Sequence, residues 1–135
     1  MVKAMNFNLI PLLISISGAV LVVLVQHLLR PYLHPSGLLA IFLGSAPNLL
    51  IGFWFPFSIL LRPRAFTKAA YVWLFPLWCL GTLLVLCWFE VAMPFKGAQT
   101  FDYFDILASF VGVMLAALFY YRWLQSKLVF GAEES

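Results

Sequence analysis

Four long apolar runs leave this chain little room to be anything but a set of membrane-crossing helices. A helix needs about 20 mostly apolar residues to cross the hydrocarbon core of a bilayer. Phe7–Leu29, Gly37–Leu61, Ala70–Phe89 and Tyr103–Leu124 each meet that length and together take up most of the 135 residues. Apolar residues make up 64% of the chain and charged residues only 10%, whereas soluble domains are roughly 45–50% apolar. The expectation is one domain, residues 1–135, lying in the bilayer. The first run is longer than the roughly 7–15 residues of a secretory signal core and ends without a small-x-small cleavage pattern, so it reads as an uncleaved first helix.

Short connections carrying Pro31, Pro35, Pro63 and Pro94 separate the runs. Short links between antiparallel helices predict an all-α, up-down four-helix transmembrane bundle with sequential neighbours in contact. Basic residues mark its orientation. Lys3, Arg62, Arg64, Lys68, Arg122 and Lys127 fall on one side, and Arg30 and Lys96 on the other. By the positive-inside rule both termini are cytoplasmic. The net charge of +3 is spread over helix ends rather than gathered in a patch, which argues against a nucleic-acid partner. Tyr120, Tyr121 and Trp123 beside Arg122, and Trp73 beside Tyr71, read as aromatic anchors at the inner interface. Cys79 and Cys87 lie about 12 Å apart along one helix, too far for a disulfide. They lack metal-ligand neighbours and read as packing residues.

Two helices carry small-residue ladders. In the second, Gly44, Asn48, Gly52 and Pro56 recur every four residues. In the fourth, Asp105, Ser109, Gly112 and Ala116 share a face, with Ala108 on the same ladder. Small residues allow close helix approach in membranes, and a buried amide needs a hydrogen-bond partner. Pro47 and Pro56 each remove a backbone donor and free a carbonyl. Asn48 lies about 15 Å along the helix from Leu38, near the middle of the membrane. It reads either as an interhelical hydrogen bond or as one wall of a ligand pocket.

The topology also gathers the polar side chains of the outer end. His27, Arg30 and His34 surround the first connection, and Glu90, Lys96, Gln99, Asp102 and Asp105 surround the third. One reading is structural. Asp102 or Thr100 caps the last helix, its acids complement the helix dipole, and Glu90 closes the preceding helix and pairs with His27, Arg30 or Lys96. A second is a ligand or proton-transfer site, in which Glu90 and Asp105 are the key carboxylates and Asp102, Gln99, His27, Arg30 and Asn48 support them. A metal site from His27, Glu90 and Asp105 has no ligand spacing to support it, and no cofactor motif is present.

The segment Glu90-Val-Ala-Met93, followed by Gln99-Thr-Phe-Asp102-Tyr-Phe-Asp105 and Ser109-Phe-Val-Gly112, resembles the signature of VanZ-like membrane proteins. That signature runs E-x-x-Q, a short loop, then R-[ST]-x-x-x-x-D-x-x-x-N-x-x-G. Glu90, Thr100, Asp105 and Gly112 match it. Met93, Gln99 and Ser109 replace its Gln, Arg and Asn, and Ala46-Pro47-Asn48 stands where the family has an Asp-Lys and His pattern. The resemblance implies a bacterial cytoplasmic-membrane protein with four helices, linked to glycopeptide (teicoplanin) resistance and envelope biology. It implies an outward acidic site that binds or processes a lipid-linked or cell-wall ligand. The reading from another class is a non-catalytic scaffold, whose Gly44/Gly52 and Gly112/Ala116 faces pack a partner protein or a second copy.

Overall fold

The computed structural model describes residues 9–61, 67–95 and 102–126. Every element in them is helical, in the order expected, and four helices are long and apolar enough to cross a membrane. We number them α1 (Leu9–Leu33), α2 (Gly37–Leu61), α3 (Lys68–Phe95) and α4 (Tyr103–Leu124). The chain is an all-α, four-helix membrane bundle. The end where α1 and α3 finish and α2 and α4 begin is termed the upper end.

Two helices outrun their sequence-based bounds. Apolar character weakens after Leu29, yet α1 continues through a π-helical turn at Val25–Leu29 into a last α turn at Arg30–Leu33. The backbone N–H of Arg30 bonds to the carbonyl of Val25 in that wider turn. His34 then takes a left-handed conformation (φ 41°) and Gly37 another (φ +60°), which reverses the chain into α2. Left-handed backbone suits glycine, which has no Cβ to clash. α3 likewise runs past Phe89 to Phe95, so Glu90 sits inside the helix instead of closing it.

The closest partners are not neighbours in sequence. α2 packs most extensively on α4, α1 packs on α2, and α3 lies against α4 and the lower part of α2. The small-residue ladders explain this. A Cβ on Gly52 would come within 2.7 Å of the Ser109 carbonyl oxygen, and one on Gly112 would collide with the backbone of Leu49 and Phe53. Gly52 and Gly112 therefore serve the α2–α4 contact within this chain and are not faces left open for a partner. Gly18 performs a similar service on α1, where the Trp54 side chain fills the space a Cβ would need.

The lower half of the bundle is an aromatic core. Phe57, Leu60, Tyr71, Phe75, Cys79, Val113, Ala116, Tyr120 and Leu124 form one buried cluster. Phe75 and Tyr120 stack with ring centroids 4.0 Å apart, and Phe57 meets Phe75 at 5.6 Å and Phe119 at 5.9 Å. This corrects the reading of Tyr71 and Tyr120 as interfacial anchors, since both are fully buried. Trp73, Tyr121 and Trp123 remain exposed. Cys79 and Cys87 are free thiols, the first within the core.

Prolines inside membrane helices leave carbonyls that only the protein can satisfy. Pro76, within α3, has no N–H to offer the carbonyl of Val72 four residues earlier. The Tyr121 hydroxyl, reaching across from α4, donates to that carbonyl at 2.9 Å. At Pro56 the solution is local, and α2 tightens into a 3-10 helix over Phe55–Leu61.

Gly112→Ala is expected to destabilise the bundle by about 3 kcal/mol, because the added methyl meets backbone that cannot rotate away. Gly81, around which a Cβ would meet nothing within 4 Å, is the control. Gly81→Ala should hold or raise stability by up to about 1 kcal/mol through helix propensity. Unfolding titrations of both variants in micelles check the contrast, and equal effects would contradict the α2–α4 contact.

Candidate functional site

The upper half of the bundle is built differently, because polar side chains from all four helices converge there. Asn48, on α2, donates from Nδ2 to Oε1 of Glu90 on α3 at 3.0 Å. The amide expected to need an interhelical partner thus finds a carboxylate. Among the described residues Glu90 forms no ion pair with His27 or Arg30, and Lys96, the third candidate from sequence, lies outside them. Glu90 also lies within the electrostatic reach of Asp105 and Asp102 on α4. The two acids singled out from sequence therefore share one end and one polar layer.

α4 positions its acids by ordinary helix rules. Asp102 is the N-cap, its Oδ1 accepting from the N–H of Phe104 at 2.8 Å. Asp105 follows in the first turn, where negative charge complements the helix dipole. Its backbone carbonyl is held by the hydroxyl of Ser109, a fully buried residue, at 2.8 Å. Its side chain turns toward α2 and faces Ser45 without completing a hydrogen bond. Asp105 Oδ1 and Ser45 Oγ are both buried, and neither has a hydrogen-bond partner among the described residues. Burying a carboxylate and a hydroxyl away from water costs free energy unless they interact, and in this layer Asp105 and Ser45 are shut away together.

Arg30 has a structural task as well as an electrostatic one. Pro47 cannot donate to the carbonyl of Leu43 four residues before it. Arg30 Nε, at the end of α1, donates to that carbonyl at 2.9 Å, and Nη2 donates to the adjacent carbonyl of Gly44. The side chain remains exposed, and its charge acts on Asp105. A guanidinium carries five N–H donors, so two bonds to α2 leave others for a further acceptor. In-helix Pro47 was the available sequence signal for this contact, since its orphaned carbonyl required a donor from another helix. Ser45 gave no such signal, because one serine in an apolar helix is unremarkable until α4 is placed beside it.

Not every sequence candidate joins this layer. His27 is exposed on α1 and makes no hydrogen bond or ion pair among the described residues. His34 is exposed in the turn after α1. The His27, Glu90 and Asp105 metal set does not form, and no group of three potential ligands occurs among the described residues. Gln99, Thr100, Lys96, Lys3, Arg62, Arg64 and Lys127 lie outside the described residues. The site is thus Glu90, Asp105 and Asp102 facing Asn48, Ser45 and Arg30. Among the described residues it is rich in acceptors, with one cation, Arg30, at its edge.

Comparison with family models, with curated proteins and with solved structures gives no match.

Arg30→Leu is expected to destabilise the protein by about 1.5–3 kcal/mol, the usual worth of a hydrogen bond to a charged donor. Pro47→Ala restores the helical N–H and should remove most of that cost in the double variant. A double-mutant cycle measured by micellar unfolding tests this. Additive effects would show that the two residues are not coupled.

Proposed function

We propose that the chain is a VanZ-like integral membrane protein whose upper polar layer binds or processes a lipid-linked or cell-envelope ligand. In this reading Glu90 and Asp105 are the working carboxylates, and Asn48 and Arg30 hold the site's geometry. Asp102 caps α4 and adds negative charge. The observation that carries the proposal is the meeting of two membrane-embedded acids in one polar layer, Glu90 bonded to Asn48 and Asp105 facing Ser45. Intramembrane acids are costly and tend to mark functional positions. Helix capping accounts for Asp102 alone. By the positive-inside rule the layer faces the outside of a bacterial cytoplasmic membrane, with both termini inside. The match of Glu90, Asp105 and Gly112 to the VanZ-like signature supports the same direction.

The scaffold reading is the weaker of the two. Gly52 and Gly112, which it reserved for a partner or a second copy, are occupied by each other's helices. Association of this chain with another would have to use different surfaces.

Expression in a glycopeptide-susceptible bacterial host provides the test. The wild-type chain should lower susceptibility to teicoplanin, and Glu90→Gln and Asp105→Asn should each abolish the effect at unchanged membrane abundance. A phenotype that survives both substitutions, or that declines only as protein abundance declines, would overturn the assignment. So would the absence of any glycopeptide effect from the wild-type chain.

A further inference from the structure

Two polar side chains lie outside the acidic layer and face away from the bundle. The π-helical turn at Val25–Leu29 puts them there. Val25 is buried, and Arg30, five residues on, bonds to the α2 carbonyls of Leu43 and Gly44. The wider turn thus brings α1 back onto α2 after five residues. The side chains between, Gln26, His27, Leu28 and Leu29, are all exposed. Neither the Gln26 amide nor the His27 imidazole has a hydrogen-bond partner among the described residues.

Both lie inside the membrane span Leu9–Leu33. His27 stands about 9 Å below Leu33 along the helix. One turn above it Arg30 meets Leu43 and Gly44, so His27 is level with Pro47, and α2 continues above that level to Gly37. An amide and an imidazole turned toward hydrocarbon at such a depth cost free energy until a donor or acceptor reaches them. Lipid tails have neither.

Below His27 the same side of α1 continues as Leu9, Leu13, Ile16, Val20 and Val23, each 52–57% exposed. Their spacing of four, three, four and three, with His27 four further on, is the seam pattern of paired helices. The exposed sides of α3 and α4 repeat in a similar way, so spacing alone does not select α1. The polar pair selects it, because a polar residue in a seam fixes register and partner. Copies inserted in one orientation meet across a two-fold axis along the membrane normal, which sets equal depths against each other. His27 then faces His27. A neutral imidazole carries one N–H donor and one acceptor nitrogen, so two of them complement each other with no further group. The Gln26 amide is self-complementary for the same reason.

We propose that two copies of this chain associate in parallel through the outer face of α1, with the His27 side chains of the two copies hydrogen-bonded across the axis. Ile16, Val20 and Val23 pack below them. This face shares no residue with the acidic layer, so the pairing is independent of the ligand assigned there.

The test uses the full chain, labelled at its C-terminus with donor or acceptor dye and reconstituted in phosphatidylcholine vesicles over a series of protein-to-lipid ratios. Energy transfer reads association, and photobleaching steps count the copies. The wild-type chain should associate saturably as two copies. His27→Leu should weaken association about fivefold, the usual worth of a hydrogen bond between membrane helices. His27→Asn, which keeps a donor and an acceptor, should restore most of the loss. Val20→Trp places bulk at the centre of the face and should abolish association, whereas Leu84→Trp, on the exposed side of α3, should leave it unchanged. All four substitutions replace exposed side chains, and helical circular dichroism confirms that each variant is folded. If His27→Leu does not fold, Val20→Trp against Leu84→Trp decides the face and His27→Asn against wild type decides the hydrogen bond. A wild-type chain that stays single at every ratio would show that lipid or a different protein covers α1, and would overturn the proposal. Association that is indifferent to His27→Leu, or that Leu84→Trp disrupts and Val20→Trp does not, would overturn it as well.

Discussion

The backbone contact between α2 and α4 governs the rest of this molecule. Water no longer drives helices together once they are inside hydrocarbon, so association depends on packing and on hydrogen bonds between helices. Gly52 and Gly112 supply the packing, each placed where a methyl group would strike the opposite backbone. That approach has consequences in both directions along the bundle. Below it, Val113, Ala116 and Tyr120 of α4 close with Phe57 and Leu60 of α2 and with Phe75 of α3 into the aromatic core. Above it, Ser45 is brought against Asp105, and an apolar groove lies between the two helices.

A second constraint comes from the prolines. Each in-helix proline leaves a carbonyl that lipid cannot satisfy. The chain answers twice with a side chain from another helix, Arg30 on the carbonyl of Leu43 and Tyr121 on that of Val72. These bonds tie α1 to α2 near the upper end and α4 to α3 near the lower end. Arg30 gains a further importance from its place. Anchored to α2 by carbonyls, it holds a positive charge at the edge of a layer whose other described members are acids and neutral groups.

The bundle therefore has two halves of different character. The aromatic half is filled by packed rings, Cys79 and the buried tyrosines among them, and there too a buried polar atom, the Tyr120 hydroxyl, has no hydrogen-bond partner among the described residues. The polar half differs in gathering ionisable side chains, Glu90, Asp102 and Asp105 with Arg30 beside them. The meeting of Glu90 and Asp105 in one layer, with Asn48 bonded to Glu90 and Ser45 beside Asp105, is the reason for assigning a ligand to this end.

Much of the architecture was legible in the residues, because the bilayer imposes a length and an apolar composition on anything that crosses it. The bounds of α2 and α4 follow from those requirements, as does the use of small-residue ladders for close packing. Asp102 was readable as an N-cap because capping depends on local sequence. Other features depended on which helices touch. From sequence Glu90 could pair with any of several cations, and only the placement of α2 beside α3 gave it to Asn48. Tyr71 and Tyr120 look like interfacial residues until α3 and α4 are set side by side, when their rings become core. Ser45 carried no signal at all. The sequence by itself determined that four helices cross a membrane and that acids gather at one end, since hydropathy and helix length are local properties. Only the tertiary structure decided which polar groups are satisfied and which are left over, because a hydrogen bond between helices is a property of two backbones and their separation.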